Sequence, residues 1–168
     1  MSTFLKEFKF ERTPLKITYL DEEPLKLNNE LIFFHNQIKF RKELTRLQYL
    51  IKSYTKITLN AAGIRDSYLN EAYWQKYLIV LFTTQETVKN TNEIIKIRSN
   101  LELNHACFYL ETNSDFMLLL SKDMDGLTLG VDIMENILKQ VMEDYINQNQ
   151  FDDYIKIRPF KLLNCRSP

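Results

Sequence analysis

The stretch from His105 to Tyr145 constrains the fold most, because its pattern changes once from that of strands to that of a helix. Two apolar runs of strand length, Cys107 to Leu110 and Phe116 to Leu120, flank the turn residues Asn113-Ser114-Asp115. Beyond Gly126, apolar residues and one glycine recur at helical spacing. These helical positions are Leu127, Gly130, Met134, Ile137, Leu138, Val141 and Tyr145. The sequence therefore predicts a β-hairpin that leads into a long amphipathic helix.

A second amphipathic helix is predicted over residues 37–54, where apolar side chains form one stripe opposite charged ones. The run Tyr77 to Phe82 lacks polar alternation, which is typical of a strand covered on both faces. Because each predicted helix has a single wide apolar stripe, both helices can pack on the same face of a sheet. We therefore expect an α+β fold with one mixed or mostly antiparallel sheet and two long helices, 37–54 and 127–147, on one face.

Nothing in the sequence divides the chain into separate domains. It has 168 residues, of which only 3 are glycine and 4 are proline, and it contains no linker-like stretch. We expect a single α+β domain over residues 1–168. Residues 1–30 are predicted to be an N-terminal extension with an edge strand, and residues 151–168 an exit strand and tail.

The composition argues against several classes of partner. Lysine and arginine equal aspartate and glutamate at 22 each, so no overall field attracts nucleic acid or an acidic membrane. The sequence contains neither a signal peptide nor an apolar run of membrane-spanning length. Its only cysteines are Cys107 and Cys165, fewer than a secreted disulfide framework would contain. We therefore expect a soluble, cytoplasmic protein.

The residues that could carry chemistry form no catalytic constellation, so the sequence predicts no catalytic residue and no cofactor. Asp123-x-Asp125-Gly126 superficially resembles a calcium loop, but the glycine comes too early and no acidic residue occupies the twelfth position. A turn ahead of a helix is the better prediction, because aspartate near a helix N-terminus interacts favourably with the helix dipole. His105 and Cys107 would share a strand face, yet a zinc site needs three or four ligands. We expect no metal site.

The order of elements and two glycines resemble the small α+β domain that precedes the catalytic barrel of family 20 β-N-acetylhexosaminidases and related glycosidases. The residues that carry this resemblance are Phe108-Tyr109-Leu110, Asn113-Ser114-Asp115, Phe116 to Leu120, Asp125, Gly126 and Gly130. The resemblance covers residues 38–147 in layout, and residues 157–162 look like the strand that leads into the barrel.

The resemblance implies a noncatalytic accessory or interaction domain, since the catalytic Asp-Glu pair of that family lies on the barrel. The expected partner is a protein or a catalytic domain, and the expected mechanism is burial of an apolar face against it.

An aromatic cluster supports the alternative functions, a free-standing small-molecule or sugar binder or an adaptor protein. This predicted binding surface, which we call the aromatic cluster, comprises Arg65, Tyr68, Tyr73, Trp74 and Tyr77. Rings with polar groups nearby are suited to binding a carbohydrate or a partner, although the same rings could instead pack onto the sheet. An accessory domain should expose an apolar patch, whereas a binder should have a concave pocket with converging polar groups.

Overall fold

The computed structural model describes residues 6–27, 31–35, 40–63, 77–82, 101, 103–147 and 155–165. Within these ranges the strands are β1 (Lys16–Tyr19), β2 (Leu25–Leu27), β3 (Ile32–His35), β4 (Asn60–Gly63), β5 (Tyr77–Phe82), β6 (Cys107–Thr112), β7 (Phe116–Ser121), β8 (Ile155–Ile157) and β9 (Phe160–Cys165). The helices are α1 (Arg41–Thr55) and α2 (Met124–Asn147).

The main sheet has seven strands in the order β1-β9-β6-β7-β5-β3-β4. The pairings β1–β9, β9–β6 and β6–β7 are antiparallel. The pairings β7–β5, β5–β3 and β3–β4 are parallel. Strands β2 and β8 form a separate antiparallel pair. The predicted α+β class with a mixed sheet is confirmed, and the structure adds the small second sheet.

The predicted hairpin is formed by β6 and β7, and Asn113 builds its turn. The backbone N–H of Asn113 donates to the carbonyl of Phe116 at 3.0 Å. The Asn113 side-chain oxygen accepts hydrogen bonds from the backbone N–H groups of Asp115 at 2.9 Å and Phe116 at 3.0 Å. This is the local chemistry that makes asparagine a turn residue.

Helices α1 and α2 pack against each other, and α2 lies on the β6–β7 hairpin. The sheet residues of the main core alternate along their strands, as the pleat requires. They include Phe108, Leu110, Met117, Leu119, Phe160 and Leu162, all fully buried. The face of the sheet that carries Cys107, Tyr109, Leu118 and Leu120 is buried as well. Strands β6 and β7 are thus buried on both faces.

The helix boundaries differ from the predicted ones for reasons of capping. Helix α2 begins at Met124 rather than at residue 127, because Asp123 accepts hydrogen bonds at its start. Helix α1 ends before Lys56, whose backbone has a left-handed φ of 62° and whose N–H donates to the carbonyl of Lys52. Left-handed residues of this kind commonly terminate helices. The predicted start of this helix at residues 37–39 lies outside the described residues.

Two glycines allow α2 to approach the hairpin closely. A Cβ at Gly126 would overlap the carbonyl oxygen of Cys107, and a Cβ at Gly130 would lie 2.5 Å from Cδ1 of Leu119. These are the two glycines that carry the family resemblance in the sequence. Because the two glycines are four residues apart, two successive turns of α2 lie directly on β6 and β7.

No helix in the described ranges is both long enough and apolar enough to cross a membrane.

Candidate functional site

Most of the aromatic cluster lies outside the described residues. This holds for Arg65, Tyr68, Tyr73 and Trp74. Tyr77 is the first residue of β5, and its backbone pairs in parallel with Phe116 of β7. The aromatic cluster therefore stays a prediction.

The structure instead contains a groove of about 880 Å³ over the outer side of α2. Its walls are residues 9–13, the side chains of α2 between Leu129 and Gln140, and the end of β9 at Asn164 and Cys165. Most of the lining side chains are charged or carry amides, and the apolar ones include Phe10 and Ile133. We call this feature the α2 groove.

Side-chain amides hold the N-terminal wall of the α2 groove in place. Gln140 accepts a hydrogen bond from the backbone N–H of Lys9 at 2.9 Å and donates one to the Lys9 carbonyl at 2.7 Å. Asn164 accepts a hydrogen bond from the backbone N–H of Leu15 at 3.3 Å. Gln140 thus pairs with both backbone polar groups of Lys9, as a residue of a neighbouring strand would, and holds this wall beside α2.

Aromatic contacts anchor the same segment from beneath. The ring of Phe8 lies 5.4 Å from that of Phe160 and 6.0 Å from that of Tyr19, measured between centroids. The Tyr19 hydroxyl accepts a hydrogen bond from the backbone N–H of Phe8 at 2.9 Å. Burial raises the pKa of the Tyr19 phenol, although this hydrogen bond acts in the opposite direction. The wall is therefore packed onto the core as well as hydrogen-bonded.

A single guanidinium organises the acidic side of the α2 groove. Arg46 of α1 lies 2.9 Å from a carboxylate oxygen of Asp132 and 3.0 Å from one of Glu135. It also lies 2.8 Å from Glu43 on its own helix. These hydrogen bonds, above all that to Asp132, raise the pKa of Arg46. One positive charge is shared by three carboxylates, so this side keeps a negative charge.

Basic side chains also line the α2 groove. Lys9, Arg12 and Lys139 line it, and among the described residues none of the three makes an ion pair with a carboxylate. The lining carboxylate on the N-terminal segment is Glu11. Lys139 lies one helical turn beyond Glu135 and next to Gln140, which holds Lys9. The charges are thus ordered along the groove, acidic near Asp132 and basic near Lys9.

The Asp123 turn has the structural role that the sequence predicts for it. Its carboxylate accepts hydrogen bonds from the backbone N–H of Gly126 at 2.8 Å and of Ala106 at 3.1 Å. His105 Nδ1 lies 2.7 Å from the same carboxylate. Burial alone would raise the pKa of Asp123, but these hydrogen bonds outweigh it and lower the pKa. The described residues contain no group of three or more His, Cys, Asp or Glu that could hold a metal ion.

The two cysteines form a disulfide. Cys107 and Cys165 are direct partners in the antiparallel pairing of β6 and β9, although they are 58 positions apart in sequence. Their low number is one reason that the sequence predicts a cytoplasmic protein. Their pairing could not be read from spacing, because it depends on the register of two distant strands.

A buried carboxylate, that of Glu111, is another feature that no pattern in the sequence predicts. The Tyr109 hydroxyl donates to Oε1 of Glu111 at 2.6 Å, and the amide of Asn113 donates to Oε2 at 3.4 Å. Glu111 is only 4% exposed. Tyr109 and Glu111 are two residues apart on one strand, so their side chains share the sheet face opposite the helices. This pair lies away from the α2 groove.

The described surface has a groove whose walls are partly polar and partly apolar, rather than a single exposed apolar patch. Its exposed large hydrophobic residues are Leu15, Tyr49 and Ile146, which lie on the N-terminal segment, on α1 and near the end of α2. The expected apolar docking face is therefore not seen in these ranges. The α2 groove is the candidate functional site.

Comparison with known proteins yields a likeness of fold. No protein-family model matches the sequence. No curated protein matches it by sequence. Among solved structures, it is similar to the GH20 exo-β-N-acetylglucosaminidase from Vibrio harveyi, with a TM-score of 0.56 and 8% identity over 90% of this chain and 18% of that one.

Two further structures give similar values. The protein CpGH84D has a TM-score of 0.63 and 11% identity, over 95% of this chain and 24% of its own. The GH20 β-N-acetylhexosaminidase from Streptomyces coelicolor A3(2) has a TM-score of 0.56 and 8% identity, over 89% of this chain and 25% of its own. The chain thus spans about a fifth to a quarter of the proteins it resembles, and the likeness is one of fold.

Proposed function

We propose that this chain is a noncatalytic accessory domain that binds and supports a glycoside hydrolase catalytic domain. One observation carries the proposal. Nearly the whole chain superposes on a small part of glycoside hydrolase chains, 18% of one and 24% of another. Most of each of those proteins is therefore a region that this chain does not contain. Fold alone does not determine function, so the proposal needs a direct test.

The structure supports a protein partner over other classes of partner. The net charge is zero, which gives no driving force toward a polyanion. Although the predicted mechanism was burial of an apolar face, the described surface offers a groove with charges of both signs. Surfaces of this kind give specificity and a fixed docking orientation more than they give raw affinity. The proposed contact with the partner domain is accordingly a polar one.

The first test is the intact mass of the natural gene product, purified from its source. We expect a chain much heavier than the 20.1 kDa of this sequence, with a catalytic domain in the additional part. A natural product of 20.1 kDa that copurifies with no glycoside hydrolase would contradict the proposal.

The second test is activity on 4-nitrophenyl N-acetyl-β-D-glucosaminide. The isolated chain should release no nitrophenol above background, whereas the natural product should hydrolyse the substrate. Deleting residues 1–168 from that product should lower its melting temperature and its yield of active enzyme. Turnover by the isolated chain would place catalysis in these residues and refute the noncatalytic role.

A second candidate, sugar binding by a free-standing protein, is favoured by the concave shape of the α2 groove, in which polar side chains stand beside apolar surface. The aromatic cluster is the other predicted location for such a site. Titration with N-acetylglucosamine, followed by backbone amide shifts in NMR, tests both locations. Trp74→Ala should abolish binding if the aromatic cluster holds the sugar, whereas unchanged affinity would exclude that surface.

A further inference from the structure

We propose that the α2 groove docks an extended segment of the partner domain, with carboxylates of that segment at Lys9 and Lys139 and a cationic side chain at Asp132 and Glu135. The proposal rests on the proposed function and names the surface that it uses. It follows from three properties of the groove, which are its hydrogen-bonded N-terminal wall, the order of its charges along α2 and the lack of ion-pair partners for its lysines.

The walls of the groove are built before any partner binds. The two hydrogen bonds between Gln140 and the backbone of Lys9 hold the N-terminal segment beside α2. Phe8 packs on Phe160, which is fully buried in the core. Binding of a segment therefore costs no free energy for ordering this wall, and preorganisation of this kind favours affinity.

The charges of the groove are arranged along its length. Lys9 and Lys139 line the end of the groove near Gln140. Among the described residues, neither ammonium group has a carboxylate partner. Toward the start of α2, Asp132 and Glu135 have side chains 55% and 40% exposed while both contact Arg46. Because Arg46 also pairs with Glu43, its single positive charge does not neutralise both Asp132 and Glu135. These two carboxylates can therefore bind a further cation.

The size and composition of the groove suit a polypeptide segment. At about 880 Å³ it is near the upper end of the range of small-molecule sites, which are mostly apolar and enclosed. Here charged side chains of both signs stand beside apolar surface, to which Phe10 and Ile133 contribute. A segment that alternates acidic, small and basic residues would neutralise both ends of the groove. A neutral sugar could hydrogen-bond these lysines and carboxylates, but it would not neutralise their charges.

The test uses the isolated chain and a synthetic probe peptide with two glutamates at one end, two arginines at the other and a Ser-Gly spacer between them. Binding is followed by backbone amide shifts in NMR. We expect shifts along residues 9–13 and on α2 between Leu129 and Gln140. Affinity should fall about tenfold in Lys9→Glu/Lys139→Glu and should also fall when the salt concentration is raised from about 0.05 M to about 0.3 M.

A matched control variant is Lys42→Glu, which makes the same charge change at an exposed residue of α1 that does not line the groove. An uncharged peptide, with glutamine in place of every charged residue, controls for nonspecific contact. Lys9→Gln/Lys139→Gln removes the charges without reversing them and should give an intermediate loss of affinity. Thermal melts establish that each variant is folded.

Three outcomes would overturn the proposal. They are no shifts in the groove, equal binding of the charged and uncharged peptides, or equal loss of affinity in Lys42→Glu. Failure of the groove and failure of the accessory role remain distinguishable. If the natural product contains a catalytic domain whose stabilisation is unaffected by Lys9→Glu/Lys139→Glu, the role stands and the groove assignment falls. If the peptide binds but the natural product is 20.1 kDa with no hydrolase partner, the groove assignment stands and the accessory role falls.

Discussion

Helix α2 rests directly on the β6–β7 hairpin where two of its residues have no side chain. At Gly126 the neighbouring atom is a backbone carbonyl oxygen, that of Cys107. At Gly130 the nearest atom is the end of the Leu119 side chain, which can rotate. The two glycines therefore serve the same contact but differ in how much their surroundings can move.

We predict that Gly126→Ala is far more destabilising than Gly130→Ala. Backbone cannot give way to a methyl group, so Gly126→Ala should cost about 3 kcal/mol of unfolding free energy. Gly130→Ala should cost about 0 to 1 kcal/mol, since repacking of Leu119 is offset by the higher helix propensity of alanine. Urea denaturation of both variants measures the difference. Equal losses would mean that the helix shifts as a body.

The carboxylate of Asp123 should make the stability of the protein depend on pH. Because its pKa is lowered in the folded protein, its contribution to stability is present above the ordinary aspartate pKa and is lost as the pH falls through the folded value. At neutral pH, Asp123→Ala should lose about 1 to 2 kcal/mol of unfolding free energy, through loss of the helix cap.

The control for Asp123→Ala is Asp123→Asn, which keeps a cap acceptor but cannot titrate. It should retain most of the stability at neutral pH. The difference between the wild type and Asp123→Ala should narrow below about pH 4. Chemical denaturation at several pH values checks this, and a gap that widens toward acid would refute the assigned role.

At the scale of elements, two polar residues of α1, Arg46 and Tyr54, join α1 to α2. Arg46 reaches across to Asp132 and Glu135, and Tyr54 donates a hydrogen bond to Glu143 at 2.9 Å. The apolar stripes already predict that the two helices share a sheet face. The periodicity does not predict which charges meet, because that depends on the crossing of the helices.

We predict that Arg46→Gln lowers the unfolding free energy by about 1 kcal/mol in low salt and by much less in about 1 M salt. The Arg46 side chain is 37% exposed, so water and ions screen its pairs. Guanidine would mask the effect, so urea is the denaturant for this measurement. Lys42→Gln, which removes a charge from the same helix outside the cluster, should change stability little. A loss that does not respond to salt would point to packing instead.

At the scale of the whole molecule, the disulfide and the N-terminal segment join regions that are far apart in the chain. The Cys107–Cys165 bond ties β9 to β6, and β9 in turn pairs with β1 near the N-terminus. The β8–β2 pair makes another connection between the two terminal regions. The predicted extension and exit strand are thus parts of the sheets.

Reduction of the disulfide should therefore destabilise the protein as a whole. Because the cysteines are 58 positions apart, we expect a loss of about 2 to 4 kcal/mol of unfolding free energy. In a domain of this size that corresponds to a melting temperature lower by about 4 to 16 °C. Circular dichroism melts with and without reductant test this. Cys107→Ala/Cys165→Ala should melt near the reduced protein and should not respond to reductant.

The sequence by itself determined the hairpin, the two long helices and the α+β class. These follow from turn chemistry and from hydrophobic periodicity, which act between neighbours in the chain. The sequence also singled out Gly126 and Gly130, but it does not show that they allow α2 to pack closely on the hairpin. Only the tertiary structure decided the α2 groove, the Arg46 cluster and the disulfide. The contacts that build them join residues 131, 89 and 58 positions apart, and they depend on strand register and helix crossing, which no local pattern encodes.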